Sequence, residues 1–322
     1  MKKAEKIIAL IASIFLAVGL VVFVVAMAIT GFDFKALSMA RYEMKTHEVS
    51  ENYTNINIDV QIPNITFVRK EGTNTKIETY ENKQIEYTVQ VANDTLSVSV
   101  NHRRSAFFFG FYNVWNTDLT LYVPLATYDS LIVKNQIGTV TIPDAVSFET
   151  IRVELATGHI NVEGTTKTLD LKAETGNITL NNVVAESVNL KGETGRHSLT
   201  NVFASENIDV ESNTGKVNFK NVRARNVTID SETGRLTLDD TVATTKLKVE
   251  TNTGNIDFIK SDAQDIYAKT EVGNIEGSLL TGKIFVARSN VGRINVPPNT
   301  PGAGLCELTT DVGNINITIA AS

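Results

Sequence analysis

The sequence holds a single cysteine, Cys306, among 322 residues. An internal disulfide is thereby excluded, and so is a metal cage built from thiolates. Histidine is nearly as scarce: His47, His102, His159 and His197 lie far apart, and no histidine metal cluster is visible. A field of one sign is missing too, since 30 basic residues are interspersed with 36 acidic ones for a net charge of −6. Nucleic-acid binding needs a basic surface, so DNA and RNA are set aside as partners. Nothing points to wholesale disorder, because a hydrophobic content of 42% is ordinary for a chain with a sizeable core.

One long apolar run is present. Lys2, Lys3 and Lys6 precede Ile7–Ile29, 23 residues broken in polarity only by Ser13. As a helix this run spans roughly 35 Å, against about 30 Å of bilayer hydrocarbon. A signal peptide is the competing reading, with Ala26-Met27-Ala28 as its cleavage site, but its apolar core would be only about 7–15 residues. The run therefore reads as an uncleaved anchor. The lysines before it place the N-terminus in the cytoplasm and the remainder outside, with Lys35, Arg41 and Lys45 arguing against that orientation. The expected location is a single-pass membrane protein with its main domain extracytoplasmic. Ala9, Ser13 and Ala17 form a small-residue stripe through which two such helices could self-associate.

Beyond residue 130 the chain repeats itself. Gly138, Gly158, Gly176, Gly195, Gly215, Gly234, Gly254, Gly273, Gly292 and Gly313 follow one another at 18 to 21 residues. A period near 20 marks a solenoid. Seven and five residues before each glycine stand apolar pairs such as Leu169 and Leu171 or Val227 and Ile229, and two and four after it come pairs such as Ile178 and Leu180 or Val217 and Phe219. Alternation on both sides of a turn is the strand period. A weaker third side follows, as at Val202 and Ala204. The expected fold is all-β: one parallel β-solenoid of about ten coils of 19–20 residues, preceded by one transmembrane helix. At about 4.8 Å per coil the rod is about 50 Å long. The glycines are the structural turn residues, because stacking leaves no room for a side chain and glycine adopts positive φ freely. The domain boundaries expected are 1–30 for the anchor, 31–50 for a juxtamembrane stalk, 51–130 for strands that cap the solenoid, and 131–322 for regular coils.

Candidate sites are few. Two residues before the glycines run Glu174, Glu193, Asn213, Glu232, Asn252, Glu271, Asn290 and Asp311, a row that could attract calcium. Cations and amides flank it, however, among them Arg196, Lys216 and Arg235, and the spacing differs from that of calcium-binding nonapeptide repeats. No metal or other cofactor is expected. His197 takes a slot that is Ile, Val or Leu in other coils and reads as a structural histidine in need of a partner. Cys306 reads as a small core residue. The irregular stretch is "HRRSAFFFGFYNVW", where Arg103, Arg104, Phe107, Phe108, Phe109, Phe111, Tyr112 and Trp115 crowd together. Two readings of it stay open: a plug over the open end of the solenoid, or a contact for the membrane surface or a partner protein. At the far end "ITIAAS" is expected to form the last coil, with an open edge for end-to-end or partner docking.

The tandem "ETGN", "ETGR" and "NTGK" turns, with the lead-in "LTLYVPLATYDSLIVKNQIGTVTI", resemble a bacterial family of β-strand-repeat domains of unknown function labelled "putative adhesin". They are similar to the toast-rack domains of Gram-positive envelope-stress operons. The resemblance covers residues 50 to 322 and implies a membrane-tethered, outward-facing solenoid with no catalytic residues to carry over. The leading expectation is a non-enzymatic, adhesin-like or envelope-stress-associated scaffold whose partner is another envelope protein or a cell-wall polymer. The alternatives are a polysaccharide-active β-helix enzyme, which needs acids and bases converging on one groove, and a self-assembling filament with cytoplasmic topology.

Overall fold

A computed structural model describes residues 3–29, 42–82, 85–102 and 118–320. Helix α1 (Lys3–Ile29) contains a stretch, Leu10–Ile29, long and apolar enough to cross a membrane, with a mean hydropathy of 3.0. All other regular structure among the described residues is β. The N-terminal strands are β1 (Glu43–Val49), β2 (Asn55–Asp59), β3 (Ile65–Lys70), β4 (Thr75–Glu81), β5 (Ile85–Ala92), β6 (Thr95–His102) and β7 (Leu119–Pro124). The long solenoid strands are β8 (Thr127–Ile142), β9 (Ser147–Thr165), β10 (Thr168–Thr233), β11 (Leu236–Thr253) and β12 (Ile256–Val272). The distal end comprises β13 (Ile275–Leu279), β14 (Ile284–Val291), β15 (Ile294–Asn295), β16 (Leu305–Val312) and β17 (Ile315–Ile319). Together they build one parallel β-solenoid of about ten turns.

One coil shows why this sequence winds. Leu169, Leu171 and Ala173 point inward along the first side, the chain bends at Gly176, Ile178 and Leu180 point inward along the second, and Val183 and Ala185 along the third. All are buried, so the period-two pattern of each side becomes one apolar column through the rod. The coil pairs in parallel with its predecessor, Leu171 opposite Val153, Gly176 opposite Gly158 and Ile178 opposite Ile160. The second bend rests on a left-handed residue six positions after the glycine: Asn182, Asn201, Asn221, Asp240 and Lys260, at φ between 48° and 54°. Asparagine tolerates that conformation, and here it also bonds to its neighbours, Asn221 Nδ2 to Asn201 Oδ1 and Asn201 Nδ2 to Asn182 Oδ1, each at 2.9 Å.

Both ends depart from simple winding. Near the N-terminus β2 lies between β6 and β8, with Ile58 opposite Val98 on one side and Val133 on the other. Likewise β3 lies between β7 and β8, with Ile65 opposite Leu119 and Val140. The first coil in the chain is therefore the second in space. Antiparallel strands then cover the end: β5 on β6, β4 on β7, and β1 on β4. Glu43–Val49, within the segment expected as a stalk, is thus a paired strand.

At the other end β16 sits between β12 and β14, with Cys306 opposite Ile266 and Phe285, and β17 between β13 and β15, with Ile315 opposite Ile275 and Ile294. The outermost coil is 284–295. This corrects the expectation that "ITIAAS" forms the last coil: Ile315 and Asn316 are paired on both sides, while Ile317–Ile319 pair with β13 alone. The physical reason is burial: Leu308 and Ile315 are large and fully buried between two neighbours, whereas the outer coil offers in their places Ala287 and an Ile294 left 45% exposed.

Candidate binding surface

The ten glycines form one column along a single corner. Their φ angles run from +138° to +159°. A Cβ on Gly176 would fall on the carbonyl oxygen of Gly158, one on Gly195 on that of Gly176, and so on up the stack to Gly273, Gly313 and Gly292 in that spatial order. Pro63 heads the column, its carbonyl facing Gly138. Beside the glycines stands an exposed β-branched row: Thr157, Thr175, Thr194, Thr214, Thr233 and Thr253, continued by Val272, Val312 and Val291. On the far side the next residues are tied rung to rung, with Arg196 N–H donating to Asn177 Oδ1, Asn274 N–H to Asn255 Oδ1 and Arg293 N–H to Asn314 Oδ1 at 2.9–3.0 Å. The acidic row at Glu174, Glu193, Glu232, Glu271 and Asp311 is solvent-exposed. Among the described residues no group of three or more His, Cys, Asp or Glu side chains could hold a metal ion.

The first side of the rod carries a second feature. Over the first four rungs the outward side chains four residues before the turn stack with alternating sign, Asp59 opposite Lys134, Lys134 opposite Glu154 and Glu154 opposite Lys172. They line a groove of about 240 Å³ with Asn135 and Glu174. Arg152 bonds Glu154 at 2.9 Å, and Lys172 lies 3.6 Å from Glu174. Hydrogen-bond donors and acceptors thus alternate along the groove, which suits a polar or zwitterionic chain laid along the axis. Sequence reasoning missed this column because Asp59 and Lys134 are brought together from different coils, and only the alternating residues at 134, 154 and 172 hinted at it.

Glu81 is buried at the edge of β4 and accepts from Lys45 Nζ at 2.8 Å and Thr79 Oγ1 at 2.9 Å, with His47 Nε2 also at 2.9 Å. Burial raises its pKa, but these three bonds outweigh burial and leave it below the ordinary carboxylate value. His47, read from sequence as part of the stalk, meets both Glu81 and Thr79 through the same nitrogen, which is not the geometry of a hydroxyl-to-carboxylate relay. Cys306 is fully buried and its thiol is pushed up to about 12, chiefly by that burial. His159 is exposed on the turn. The aromatic cluster from Arg103 to Trp115 lies outside the described residues.

His197 is only 1% exposed, and neither ring nitrogen has a hydrogen-bond partner among the described residues. The coil makes space for the ring by carrying Gly192 where its neighbours have Ala173 and Ser212, and a Cβ at Gly192 would collide with the imidazole. Burial alone pushes the His197 pKa down to about 4. The unfolded chain accepts this proton near pH 6.5 and the folded one only near 4, so His197 costs no charge-burial energy above pH 6.5, and stability falls as the pH drops between those values. The loss amounts to about 3 kcal/mol. His197→Ile with Gly192→Ser restores the pattern of the other coils. That double variant is expected to gain about 1–2 kcal/mol at pH 7 from removing the unpaired ring, and to lose most of the acid slope between pH 6.5 and 4 in urea melts. An unaltered slope would contradict the assignment.

No protein of curated function matches the chain in sequence. Among solved structures, the chain is similar to a putative lipid binding protein from Parabacteroides distasonis, at 12% identity over 72% of this chain and 94% of that one, with a TM-score of 0.47. It is also similar to a putative adhesin from Bacteroides fragilis, at 15% identity, 86% and 97% coverage and a TM-score of 0.44. A putative cell adhesion protein from Clostridium sporogenes covers 87% of this chain with all of its own length, at 10% identity and a TM-score of 0.22. The family model for Toastrack DUF4097 matches residues 53–207 and 198–322, the solenoid with its N-terminal strands from β2 onward, and the chain belongs to that family.

Proposed function

We propose that the chain is a membrane-tethered scaffold that holds its solenoid outside the cytoplasm and binds an envelope component without transforming it. The observation that carries this reading is the outward surface of the rod, where the same kinds of side chain recur rung after rung and the groove at Asp59, Lys134, Glu154 and Lys172 alternates in charge along its length. Such a surface suits an extended polymer, which meets equivalent groups at each repeat. A catalytic site instead concentrates an acid, a base and an orienting group at one point. The apolar Leu10–Ile29 stretch, with lysines before it, supports the tether and its orientation. The polymer is read as a wall glycan or a zwitterionic wall polymer, held by hydrogen bonds and paired charges.

Two measurements test the reading. Thr214→Cys places a thiol on the exposed corner while Cys306 stays buried. A membrane-impermeant maleimide should label this variant in intact cells, and labelling only after permeabilisation would overturn the topology. Purified chain in detergent should co-sediment with isolated cell wall, and Lys134→Glu/Lys172→Glu, which turns the groove uniformly acidic, should weaken that binding about tenfold. Equal sedimentation of both proteins would remove the groove from the reading.

A further inference from the structure

The reversal of coil order at the distal end has a consequence for assembly. Residues 305–319 fill a slot, with β12 and β13 paired along them toward the rod and β14 and β15 toward the end, the outer pairing running as far as Asn316. Gly313 stacks on Gly273, and Gly292 on Gly313. The contacts of this insert are backbone ladders, inward apolar side chains, the glycine corner and side-chain bonds to both neighbours, such as Asn290 Nδ2 to Asp311 Oδ1 at 2.9 Å and Asn314 N–H to Asn274 Oδ1 at 2.8 Å. Any second copy of the same segment reproduces all of them.

The coil that precedes it in sequence fits the same edge. Phe285, Ala287, Gly292 and Ile294 repeat the inward pattern of Cys306, Leu308, Gly313 and Ile315 one for one. Solenoid folding can nucleate at any coil and propagate to its neighbours, and whenever 284–295 closes first on the edge of β12 and β13 it bars 305–319. It must lift away to admit the insert. While it is lifted, the slot is open to residues 305–319 of whichever chain is near. The connection 296–304 carries Pro297, Pro298 and Pro301, three of the six prolines in the chain. Prolines stiffen a linker, and short strained hinges favour exchange between copies; here the segment forms the third side of its coil, with Thr300 N–H donating to Lys283 O at 2.9 Å. Fully extended, these nine residues span about 30 Å, enough to reach a rod standing alongside.

We propose that residues 305–319 exchange reciprocally between two copies of this chain, joining parallel rods at their distal ends. The partner is a second copy, the surface it enters is the slot between β12–β13 and β14–β15, and the hinge is 296–304. Two rods tethered in one membrane run in the same direction, which is the arrangement a reciprocal exchange about an axis parallel to the rods requires.

The test uses the full chain in detergent with Cys306→Ala, Arg288→Cys and Thr309→Cys, the last two being directly opposed on β14 and β16. Protein refolded at ~1 µM and at ~200 µM is oxidised and run without reductant. Exchange predicts intramolecular disulfides at the low concentration and a disulfide-linked dimer as a major species at the high one. Disulfides that stay within single chains at both concentrations overturn the proposal, even if the chains associate through their helices. Deleting Pro298–Pro301 should shift the product to the linked dimer, and inserting a flexible Gly-Ser stretch at the same place should shift it to the monomer. Should the deletion fail to fold, the insertion decides: an unchanged dimer fraction in the insertion variant counts against the hinge.

Discussion

Gly215→Ala should destabilise the solenoid by about 4 kcal/mol, a large share of what a domain of ordinary stability possesses. Two effects add. Gly215 has φ +156°, a region alanine rarely adopts, and such strain costs about 1–3 kcal/mol. The new methyl would also fall on the carbonyl oxygen of Gly195, which cannot retreat because Gly195 stacks in turn on Gly176. Forcing volume into packed structure costs a further 1–3 kcal/mol or so. Gly302 separates the two terms, for it also has positive φ, +79°, but nothing lies within 4 Å of a Cβ built there. Gly302→Ala should therefore cost only about 1–2 kcal/mol. Urea unfolding of both variants reads the difference, and equal losses would show that strain alone, without the stack, sets the role of the corner glycines.

That corner shows why so much of the fold was legible. A glycine recurring near every twentieth residue, with apolar pairs at fixed offsets on either side, is a statement about a stack, because only stacking makes each coil meet the same constraint. The same regularity hides the order of the coils. Residues 284–295 and 305–317 both satisfy the inward pattern, so periodicity could not say which one lies against β12 and β13. The answer depends on which side chains gain more from two neighbours, Leu308 and Ile315 or Ala287 and Ile294, and on connections long enough to let the chain double back. The N-terminal reversal, with β2 held between β6 and β8, was hidden for the same reason.

Groups that act only through the stack were less legible still. Asp59 meets Lys134 because two coils happen to be neighbours, so the groove exists in the assembled rod and in no local stretch of sequence. The second bend left a partial trace in Asn182, Asn201 and Asn221, residues suited to the left-handed region. Lys260 occupies the same region with no such aptitude, and there the neighbouring coils override local preference. His197 was visible as a misfit, but Gly192, which makes its burial possible, acquires meaning only once the two are seen in contact.

Breaking the ion pair between Lys283 and Asp262 should loosen the distal coils by about 3–5 kcal/mol. Both side chains are buried, at 5% and 8% exposure, with Lys283 Nζ 2.7 Å from Asp262 Oδ1. The pair is closed on itself, since Thr281 Oγ1 donates to Asp262 Oδ2 at 2.7 Å, Lys283 Nζ donates to Thr281 Oγ1 at 2.8 Å and Ala263 N–H donates to Asp262 Oδ1 at 2.8 Å. Lys283→Ala leaves a buried carboxylate short of its cation, and Asp262→Ala leaves a buried ammonium held by one hydroxyl. Removing both charges in Asp262→Ala/Lys283→Met should cost less than either single change, because no uncompensated ion remains. The pair spans the start of the third side in one coil and the entry to the next, where the chain leaves for the outermost coil before returning as β16. Its loss should therefore appear as local opening of residues 275–319 more than as global unfolding. Cys306 reports this directly, as the only thiol in the chain and fully buried in β16. Its reaction with a thiol reagent should accelerate on the order of 100-fold in Lys283→Ala, the factor that corresponds to about 3 kcal/mol. Labelling at the native rate, with the rod otherwise intact, would mean that the distal coils are held by their aliphatic core and backbone ladders alone.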